Sequence, residues 1–418
     1  MGGFSQIRMS QAAPHEPADN HSSRSARVEP RRVDVAIVGG GLSGSILANV
    51  LGRAGIGVAL LDMHASHPPE FKAEKLAGDQ IDLLRRLGLF ECLTADATPV
   101  YETISARRGR AIDRQRDTEY GLAYQNMVGA ARARLPAAAE LIVGRVAELA
   151  AGPERQIVTL ADGRVVEARL LALATGAGSM LRQKLGIERR MIRDAHSLSL
   201  AFDVESAPGQ SFSFGGLTYY GERVADRVDY ISLFPIGRAI RANLFCYRDV
   251  RDPWTREFLD RPRDAVLAAM PGIERFLGDF RVTGKVQARV VDLQGVANHR
   301  RDGVVMVGDA FQTTCPATGA GISKLLTDIA QLAHHVPRWL ATPGMDAGKI
   351  AQFYDDPAKR ACDARALAWS EYRRSVTADP SLGWEVHRRR VFLRRRVQGW
   401  LDRVVSTPFP AANATRTA

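Results

Sequence analysis

The sequence predicts an α/β fold, in which a doubly wound, Rossmann-like domain carries an inserted antiparallel β-sheet domain and is followed by a C-terminal helical region. Three observations lead to this prediction. A glycine-rich βαβ unit lies near the start of the chain, alternating apolar and polar residues fill its middle, and a second buried strand that runs into a glycine turn begins at Val304. The order of these patterns suggests one discontinuous domain interrupted by a sheet.

The first motif is a strand, a glycine turn and a helix. Residues 33–38 form a short apolar, β-branched run that is typical of a buried parallel strand. The pattern Gly39-x-Gly41-x-x-Gly44 follows directly. Gly39 permits the tight turn, Gly41 lets the backbone approach a pyrophosphate, and Gly44 allows close packing of the helix on the strand. A lone glycine motif also occurs in flexible turns, so only the flanking elements can show whether it binds a dinucleotide.

The flanking elements favour a dinucleotide site. The backbone of Leu42 and Ser43 opens the predicted helix, whose N-terminal N–H groups bind phosphate oxygens. Residues 58–61 form a second apolar strand, and Asp62 at its end can accept hydrogen bonds from an adenosine ribose. A strand, a helix and an acid at this spacing predict a dinucleotide-binding βαβ unit.

A second motif lies some 250 residues further along. Gly308-Asp309 closes the later buried strand, and Pro316 and Gly319-x-Gly321 precede a helix that starts near Ile322. A carboxylate here would repel a second phosphate, but it suits a polyol chain with hydroxyl donors. The helix N-terminus places partial positive charge near a ring that becomes anionic when reduced. These features indicate the ribityl chain and ring of a flavin.

Taken together, the two motifs resemble those of the FAD-dependent monooxygenases of the para-hydroxybenzoate hydroxylase type, over residues 33 to 340. The resemblance implies an FAD-binding domain of the glutathione-reductase type. It implies that Asp309 binds the ribityl chain, that Pro316 lies beside the flavin ring, and that the amides of Gly321 and Ile322 hold its pyrimidine edge. The predicted cofactor-binding residues are Gly39, Gly41, Leu42, Ser43, Gly44, Asp62, Lys72, Gln125, Gly308, Asp309, Gly319, Gly321 and Ile322.

Lys72 and Gln125 are the weaker matches in that set. Lys72 stands where the family usually has Arg, and Gln125 lies in a stretch whose counterpart contacts the ribityl and phosphate region. A solvated lysine and a surface glutamine explain these two residues equally well. No acid or base can be assigned, so Pro316 is named only as a residue adjacent to the flavin. Tyr219, Tyr220, Tyr230 and His196 lie in the predicted substrate sheet, where core packing is the commoner role.

The sequence departs from the family at two positions. The family's middle motif reads Asp-Gly, but here Thr175 precedes Gly176, which removes a charge that takes part in NADPH handling. Phe311 stands where many members have His. The resemblance implies a flavin hydroperoxide formed with O2, with NADPH or NADH as a transient electron donor. The loss of the Asp keeps open a second scheme, in which a separate flavin reductase supplies reduced flavin.

Three other functions compete with hydroxylation of an aromatic or polyketide-like molecule. A flavin-dependent halogenase is disfavoured because its Trp-x-Trp-x-Ile-Pro signature is absent and all five tryptophans are isolated. A reductase or dehydrogenase of an isoprenoid or quinone stays open. The third is a non-enzymatic binding module, which would not need intact phosphate and ribityl motifs.

Composition narrows the possible partners. The 418 residues are 45% hydrophobic and carry a net charge of +11, part of it in the runs 388–390 and 394–396. We interpret these runs as a solvated helix face, since no nucleic-acid motif accompanies them, with packing over the substrate sheet or in a homodimer as alternatives. No stretch suits a membrane span. The four cysteines are widely spaced, which indicates no metal site and no disulfide framework and fits a cytoplasmic location.

The predicted domain boundaries follow from these patterns. Residues 1–32 are polar and rich in Pro and Ser, which predicts a disordered leader. We assign 33–190 and 295–340 to the FAD-binding domain, 191–294 to the substrate-binding sheet, and 341–418 to the helical, Arg-rich region.

Overall fold

The computed structural model describes residues 29–178 and 180–405, with side chains described to residue 399. Most of the predicted leader, 1–32, therefore lies outside the described residues. The first strand begins at Arg31, two residues before the predicted start, because Arg31 and Arg32 already pair with Val166 and Glu167 of a neighbouring strand.

Strands and helices alternate along the first half of the chain, and helices make up its end. The strands are β1 (Arg31–Val38), β2 (Val58–Asp62), β3 (Ala73–Leu76), β4 (Thr98–Val100), β5 (Thr103–Arg107), β6 (Arg110–Gln115), β7 (Glu119–Ala123), β8 (Ala139–Val143), β9 (Val146–Ala150), β10 (Gln156–Leu160), β11 (Val165–Leu173), β12 (Glu188–Ser206), β13 (Gly216–Tyr220), β14 (Val228–Ile236), β15 (Ala239–Cys246), β16 (Phe280–Ala297) and β17 (Val304–Met306). The helices are α1 (Leu42–Arg53), α2 (Asp79–Arg86), α3 (Phe90–Leu93), α4 (Tyr124–Ala133), α5 (Met180–Lys184), α6 (Pro253–Asp260), α7 (Pro262–Ala269), α8 (Glu274–Leu277), α9 (Ala320–Leu340), α10 (Ala347–Asp355), α11 (Pro357–Ala378) and α12 (Leu382–Val405).

The first sheet is the doubly wound one. Its order is β8-β2-β1-β11-β10-β9, and β17 pairs with the end of β11. The pairs β8/β2, β2/β1, β1/β11 and β11/β17 are parallel, so the carboxyl ends of these strands lie at one edge. Strands β10 and β11 form the hairpin that the turn at residues 162–163 predicts. The strands are apolar on both faces. Helices that include α1, α4 and α9 cover one face, and residues of β9, β10 and the segment around α5 complete the core on the other.

The second sheet is built mainly from the middle of the chain. Its order is β16-β12-β15-β14-β13-β5-β6, and the pairs from β16 to β13 are antiparallel, as the alternating sequence predicts. The hairpin 103–115 also belongs to this sheet, although the sequence places it in the FAD-binding segment. It joins because β5 pairs in parallel with β13, from Thr103/Gly216 to Ala106/Tyr219. The predicted boundaries at 190 and 294 do not include this hairpin.

The C-terminal helices pack against both sheets. Helix α9 contributes Leu326, Ile329 and Leu332 to the core around β1 and α1. Helix α12 lies against β6, where a Cβ on Gly399 would be 2.5 Å from the carbonyl oxygen of Ile112. This contact favours the packing alternative for the Arg-rich tail, since one side of the helix is covered by protein. Among residues 29–178 and 180–405, no helix is both long and apolar enough to span a bilayer.

Candidate functional site

The turn between β1 and α1 needs its glycines. Gly39 has a φ of +105°, a conformation that side chains disfavour. A Cβ on Gly44 would lie 1.9 Å from the carbonyl oxygen of Gly39, so only glycine lets the helix pack this close to the turn. Gly41 is the N-cap of α1 and provides no side-chain cap, and a Cβ there would meet only the Tyr124 hydroxyl, at 3.5 Å. The helix N-terminus is therefore open to a ligand.

Asp62 lies at the end of β2, beside this turn. Its Oδ2 accepts a hydrogen bond from the Gly40 N–H at 2.6 Å and lies 3.2 Å from the guanidinium of Arg132. Arg132, on α4, also donates to the carbonyl oxygens of Gly40, His64 and Ala65. The acid and the turn are thus held by a buried arginine that the sequence alone did not identify, because an isolated arginine on a helix carries no motif.

The second glycine motif lies against the first. Gly308 follows β17 with a φ of +60°, and a Cβ there would lie 2.7 Å from Ser43 Oγ of α1. Asp309 is the next residue, in the 3₁₀ turn Gly308–Ala310. The parallel order of β1, β11 and β17 brings the turns after β1 and β17 to the same edge of the sheet. The two motifs therefore form one site.

Lys72 also lies close to the N-terminus of α1. Its Nζ lies 3.9 Å from the ring centroid of Tyr124, whose hydroxyl accepts a hydrogen bond from the Leu42 N–H at 3.2 Å. Burial alone would lower the pKa of Lys72, but the charges of Glu74 and Asp309 help to raise it above its usual value. This electrostatic coupling connects Lys72 to the turn that carries Asp309.

Gln125 contacts a loop of the protein itself. Its Oε1 accepts a hydrogen bond from the Glu70 N–H at 2.9 Å, so the side chain holds the loop between β2 and β3. Its predicted contact with the cofactor stays a prediction.

The last predicted elements of the site precede α9. Pro316 begins a 3₁₀ turn, and Gly319 follows with a φ of +66° as the N-cap of α9, without a side-chain cap. Gly321 and Ile322 lie in the first turn of the helix, where N–H groups lack partners within the helix. Gln80 of α2, which the sequence did not reveal, donates from Nε2 to the Gly319 carbonyl oxygen at 2.9 Å and fixes the turn.

A buried network of charges supports the turn at Gly308. Asp328 Oδ2 accepts a hydrogen bond from the Gly308 N–H at 2.8 Å, and Lys324 Nζ donates to the Gly308 carbonyl oxygen at 3.2 Å. Lys359 Nζ lies 2.7 Å from Asp328 Oδ1 and 3.0 Å from Asp363 Oδ2. Burial would raise the pKa of Asp328, but the two lysines lower it below its usual value. The charged side chains of Lys324, Asp328, Lys359 and Asp363 thus form one network that holds the Gly308 turn in place.

Phe311 packs on this network. The Lys359 ammonium lies 4.1 Å from the Phe311 ring centroid, and Tyr354 lies 5.1 Å from Phe311, centroid to centroid. An apolar ring at this position therefore covers the buried charges from one side.

A cavity of about 670 Å³ opens next to Ala317 and Thr318, the two residues after Pro316, and the α9 N-terminus. One wall contains the turn 317–320 and α2, and a second contains β13 and β14. The rest comes from α11, α12, the strand β3 and the segment 115–119 at the ends of β6 and β7. Its lining includes four basic and three acidic side chains. The basic residues are Lys75, Arg365, Arg373 and Arg395, and the acidic residues are Asp79, Asp117 and Glu119. Glu119 is buried and accepts hydrogen bonds from Lys75 Nζ, at 2.6 Å, and from the Thr103 hydroxyl.

Two of the four candidate residues from the sheet line this cavity. The Tyr230 hydroxyl donates to the Ala317 carbonyl oxygen at 3.0 Å, and burial raises the pKa of Tyr230. The Tyr220 hydroxyl accepts a hydrogen bond from Arg395 Nη1 at 2.5 Å. The rings of the two tyrosines lie 6.0 Å apart, centroid to centroid. Of the two, Tyr230 contacts the turn that carries Pro316 directly.

Tyr219 and His196 do not line the cavity. The Tyr219 hydroxyl donates to Glu222 and accepts from the Gly109 N–H, on the opposite face of the sheet from Tyr220. His196 is buried against Tyr247, with 5.6 Å between ring centroids. Both residues therefore have packing roles, which is the commoner role for such residues in a sheet.

This arrangement fits FAD. Helices α1 and α9 both begin at a glycine without a side-chain cap. Ser43, in the first turn of α1, lies next to Gly308, so the N-terminus of α1 is close to the turn after β17. The hydrogen bond from Leu42 to the Tyr124 hydroxyl shows that the first N–H of α1 points outward to an oxygen acceptor. Asp62 already accepts from the Gly40 and His64 N–H groups and pairs with Arg132, and because a carboxylate can accept about four hydrogen bonds, about one acceptor site remains for a ribose. Fold and site together define a dinucleotide-binding flavoprotein.

Comparison with known proteins names the family. Residues 32–341 match the model of the FAD binding domain family, and the chain belongs to it, as an FAD-dependent monooxygenase of the class A aromatic hydroxylase type. A ubiquinone hydroxylase, UbiL of Rhodospirillum rubrum, is 29% identical over 363 residues, which cover 79% of this chain and 78% of that protein. A squalene epoxidase of Aspergillus fumigatus is 33% identical over 93 residues, or 20% of this chain and 19% of that protein.

Solved structures share the fold. The p-nitrophenol 4-monooxygenase PnpA of Pseudomonas putida superposes with a TM-score of 0.69 at 18% identity, covering 89% of this chain and 98% of that one. The anhydrotetracycline hydroxylase OxyS of Streptomyces rimosus gives a TM-score of 0.63 at 22% identity, covering 91% and 78%. The halogenase PltM gives 0.65 at 16% identity, covering 82% and 76%, so the fold alone does not separate hydroxylation from halogenation.

Proposed function

We propose that the protein hydroxylates an aromatic or polyketide-like small molecule, with FAD as its cofactor, NAD(P)H as the electron donor and O2 as the oxidant. The observation that carries this proposal is the cavity of about 670 Å³ that meets the Pro316 turn on one side and Tyr220 and Tyr230 on the other. A ring held there by the sheet would face the turn that is predicted to lie beside the flavin.

The chain's own residues would hold the cofactor at both of its ends. The N-terminus of α1 would bind the pyrophosphate, Asp62 the ribose, and Asp309 the ribityl hydroxyls. The N-terminus of α9, at Gly321 and Ile322, would place partial positive charge at the pyrimidine edge of the ring. When bound, FAD supplies the transfer of one oxygen atom from O2 to the substrate, with the other oxygen leaving as water.

The two tyrosines offer complementary hydrogen bonds to a substrate hydroxyl. Tyr220 accepts from Arg395, so its own proton is available for donation to a substrate oxygen. Tyr230 donates to the Ala317 carbonyl, so its lone pairs are available to accept a hydrogen bond from a substrate hydroxyl. A phenolic hydroxyl can make both contacts, which would orient the ring in the cavity.

The relatives favour the same substrate class. One is named as a hydroxylase of ubiquinone and another as a monooxygenase of p-nitrophenol, and both names denote a six-membered carbon ring that carries oxygen substituents. A phenol or quinol ring fits the tyrosine pair better than a hydrocarbon, since a hydrocarbon would leave both hydroxyls without a partner on that side.

The electron donor depends on Thr175. It follows β11 at the edge of the sheet, where the Ala174 carbonyl oxygen would be 2.5 Å from a Cβ on Gly39. A neutral residue stands here in place of the family's Asp. This keeps open a second scheme, in which a separate reductase delivers reduced flavin and NAD(P)H does not bind to this chain.

The test is anaerobic reduction of the purified FAD-loaded protein, followed by oxidation under ¹⁸O2. NADPH or NADH is added alone and with a panel of phenols and quinols, and the flavin absorbance is recorded. We expect a suitable ring to accelerate bleaching by ten-fold or more and to acquire one ¹⁸O atom. Product without ¹⁸O would indicate a dehydrogenase, and halogenated product in the presence of halide would indicate a halogenase. Either result overturns the proposal.

Two variants complete this experiment. Tyr230→Phe removes the hydrogen bond that the substrate hydroxyl would donate and should lower the efficiency of hydroxylation by about ten-fold, the order of one lost hydrogen bond to the substrate, with FAD still bound. Tyr101→Phe changes an exposed tyrosine outside the cavity and should leave turnover unchanged. If bleaching occurs only with added chemically reduced flavin or a reductase, the two-component scheme replaces direct use of NAD(P)H.

A further inference from the structure

Helix α12 has an inner face that packs on the protein. Arg388 is buried and donates to the carbonyl oxygens of Val376 and Asp379. Arg395 binds the Tyr220 hydroxyl, and Phe392 lies 5.6 Å from the Tyr220 ring, centroid to centroid. These residues, together with Gly399, fix the rotation of the helix about its axis.

The opposite face is apolar and exposed. Leu382 is 74% exposed, Val386 40%, Leu393 61% and Val397 49%. At about 100° per residue, these four side chains lie within an arc of about 60°, on the side of the helix away from Arg388 and Arg395. Exposed aliphatic side chains gathered on one side of a helix are unfavourable in water, so a face of this kind marks an interaction surface.

Arginines border this stripe on both sides. Arg389 and Arg396 lie on one flank and Arg390 and Arg394 on the other, and all four are exposed. Between residues 382 and 399 the sequence contains one acidic residue, Glu385, which forms an ion pair with Arg389. The outer face thus combines aliphatic side chains with a strong positive charge.

We propose that the outer face of α12, defined by Leu382, Val386, Leu393 and Val397 with their flanking arginines, docks the protein on the surface of an anionic lipid bilayer. The helix would lie in the plane of the interface, with the aliphatic stripe among the upper acyl carbons and the guanidinium groups against lipid phosphates. Long arginine side chains can reach the phosphates from beside a buried stripe. Because Arg395 on the inner face lines the cavity, docking would hold the cavity close to the bilayer.

Two other partners for this face, a second copy of the chain and a nucleic acid, fit it less well. A second copy placed symmetrically on this face would set four arginines against four arginines, with one glutamate per copy to compensate. A nucleic acid would satisfy the arginines but leave the aliphatic stripe in water, since phosphates and sugars offer it no apolar partner. An anionic bilayer satisfies both features.

The test uses the full-length, FAD-loaded protein and sedimentation with vesicles. One set contains phosphatidylcholine alone and the other an equal mixture of phosphatidylcholine and phosphatidylglycerol, both at 0.1 M salt. We expect at least ten-fold tighter binding to the anionic set, reduced by added salt. The double variant Leu393→Asp/Val397→Asp should lose ten-fold or more of this binding. Leu259→Asp changes a similarly exposed leucine on α6 and should bind as the wild type does.

Three outcomes would overturn the proposal. Equal binding of both vesicle types, or no binding, removes the charge argument. A dimer that depends on Leu393 in sedimentation velocity, without vesicle binding, assigns the face to a second copy. Tighter binding to a fluorescent DNA duplex that Leu393→Asp leaves unchanged assigns the arginines to nucleic acid. Flavin absorbance and thermal unfolding of each variant confirm that folding and FAD binding are intact.

Discussion

Ser43 Oγ lies 2.7 Å from the position that a Cβ on Gly308 would take. The two residues belong to turns that follow different strands, and no local pattern in the sequence connects them. Their proximity joins the turn after β1, which is predicted to bind phosphate, to the turn after β17. A dinucleotide whose two halves need different chemistry can bind here because the parallel sheet places both turns at one edge.

The first prediction concerns the packing of α1. In Gly44→Ala the new methyl group would lie 1.9 Å from the Gly39 carbonyl oxygen, which is backbone and cannot move aside without moving the whole turn. We expect a loss of at least ten-fold in FAD affinity and a lower melting temperature. Flavin absorbance per protein and thermal unfolding measure both. In Gly129→Ala, on α4, the methyl group meets nothing within 4 Å, and the change should raise stability by about 0.5–1 kcal/mol.

The second prediction concerns Arg132, which binds Asp62 and three carbonyl oxygens. Lysine in its place is a single point charge that cannot hold the same set of acceptors. Arg132→Lys should therefore weaken FAD binding by about ten-fold, measured by titrating the apoprotein and following flavin fluorescence. Arg134→Lys alters an exposed arginine at the end of the same helix and serves as the control. Equal affinities in the two variants would contradict the role of Arg132.

Patterns along the chain predicted the parts of the fold that depend on local chemistry. The βαβ unit, the hairpin at Asp162-Gly163 and the antiparallel sheet all follow from periodicity and turn residues, and they are confirmed. Family membership is likewise confirmed. The motif residues themselves lie along one edge of the first sheet, although their contacts with FAD stay predictions.

Residues whose role depends on tertiary contacts could not be identified from the sequence. Gln80, Arg132 and Glu119 belong to no motif, and each gains its role from a partner more than ten residues away. The hairpin 103–115 has no signal that shows which sheet it joins, because pairing with β13 is a long-range choice. One face of helix α12 packs on the protein and the opposite face is exposed, whereas the sequence suggested a solvated helix face.

The third prediction concerns the buried charges under Gly308. Asp328→Asn leaves Lys324 and Lys359 with less compensation at a site from which water is excluded. Removing one partner of a buried ion pair costs about 3–5 kcal/mol, so urea unfolding should show a loss of this size. Adding Lys359→Met to Asp328→Asn removes one of the lysines and should recover part of the loss. A loss in Asp328→Asn below about 1 kcal/mol would contradict this account.

The fourth prediction concerns pH. Burial, with a contribution from Arg374, lowers the pKa of His196 from its usual value to about 4, while Glu371 opposes and Arg193 reinforces the shift. Between pH 6.5 and 4 the unfolded chain binds a proton that the folded protein does not, so acidification through this range favours unfolding. The stabilising effect of neutral His196 is full above pH 6.5 and is lost progressively down to about pH 4.

We therefore expect the free energy of unfolding to fall by about 1–2 kcal/mol from this group between pH 7.5 and 5. His196→Phe keeps a ring against Tyr247 and has no titrating group, so its unfolding free energy should depend less on pH by that amount. The control is Leu259→Ala, which changes an exposed side chain on α6 that has no titratable group and should leave the pH profile as in the wild type. Urea titrations at pH 5, 6 and 7.5 measure all three proteins. Parallel profiles for wild type and His196→Phe would show that His196 titrates alike in the folded and unfolded chains.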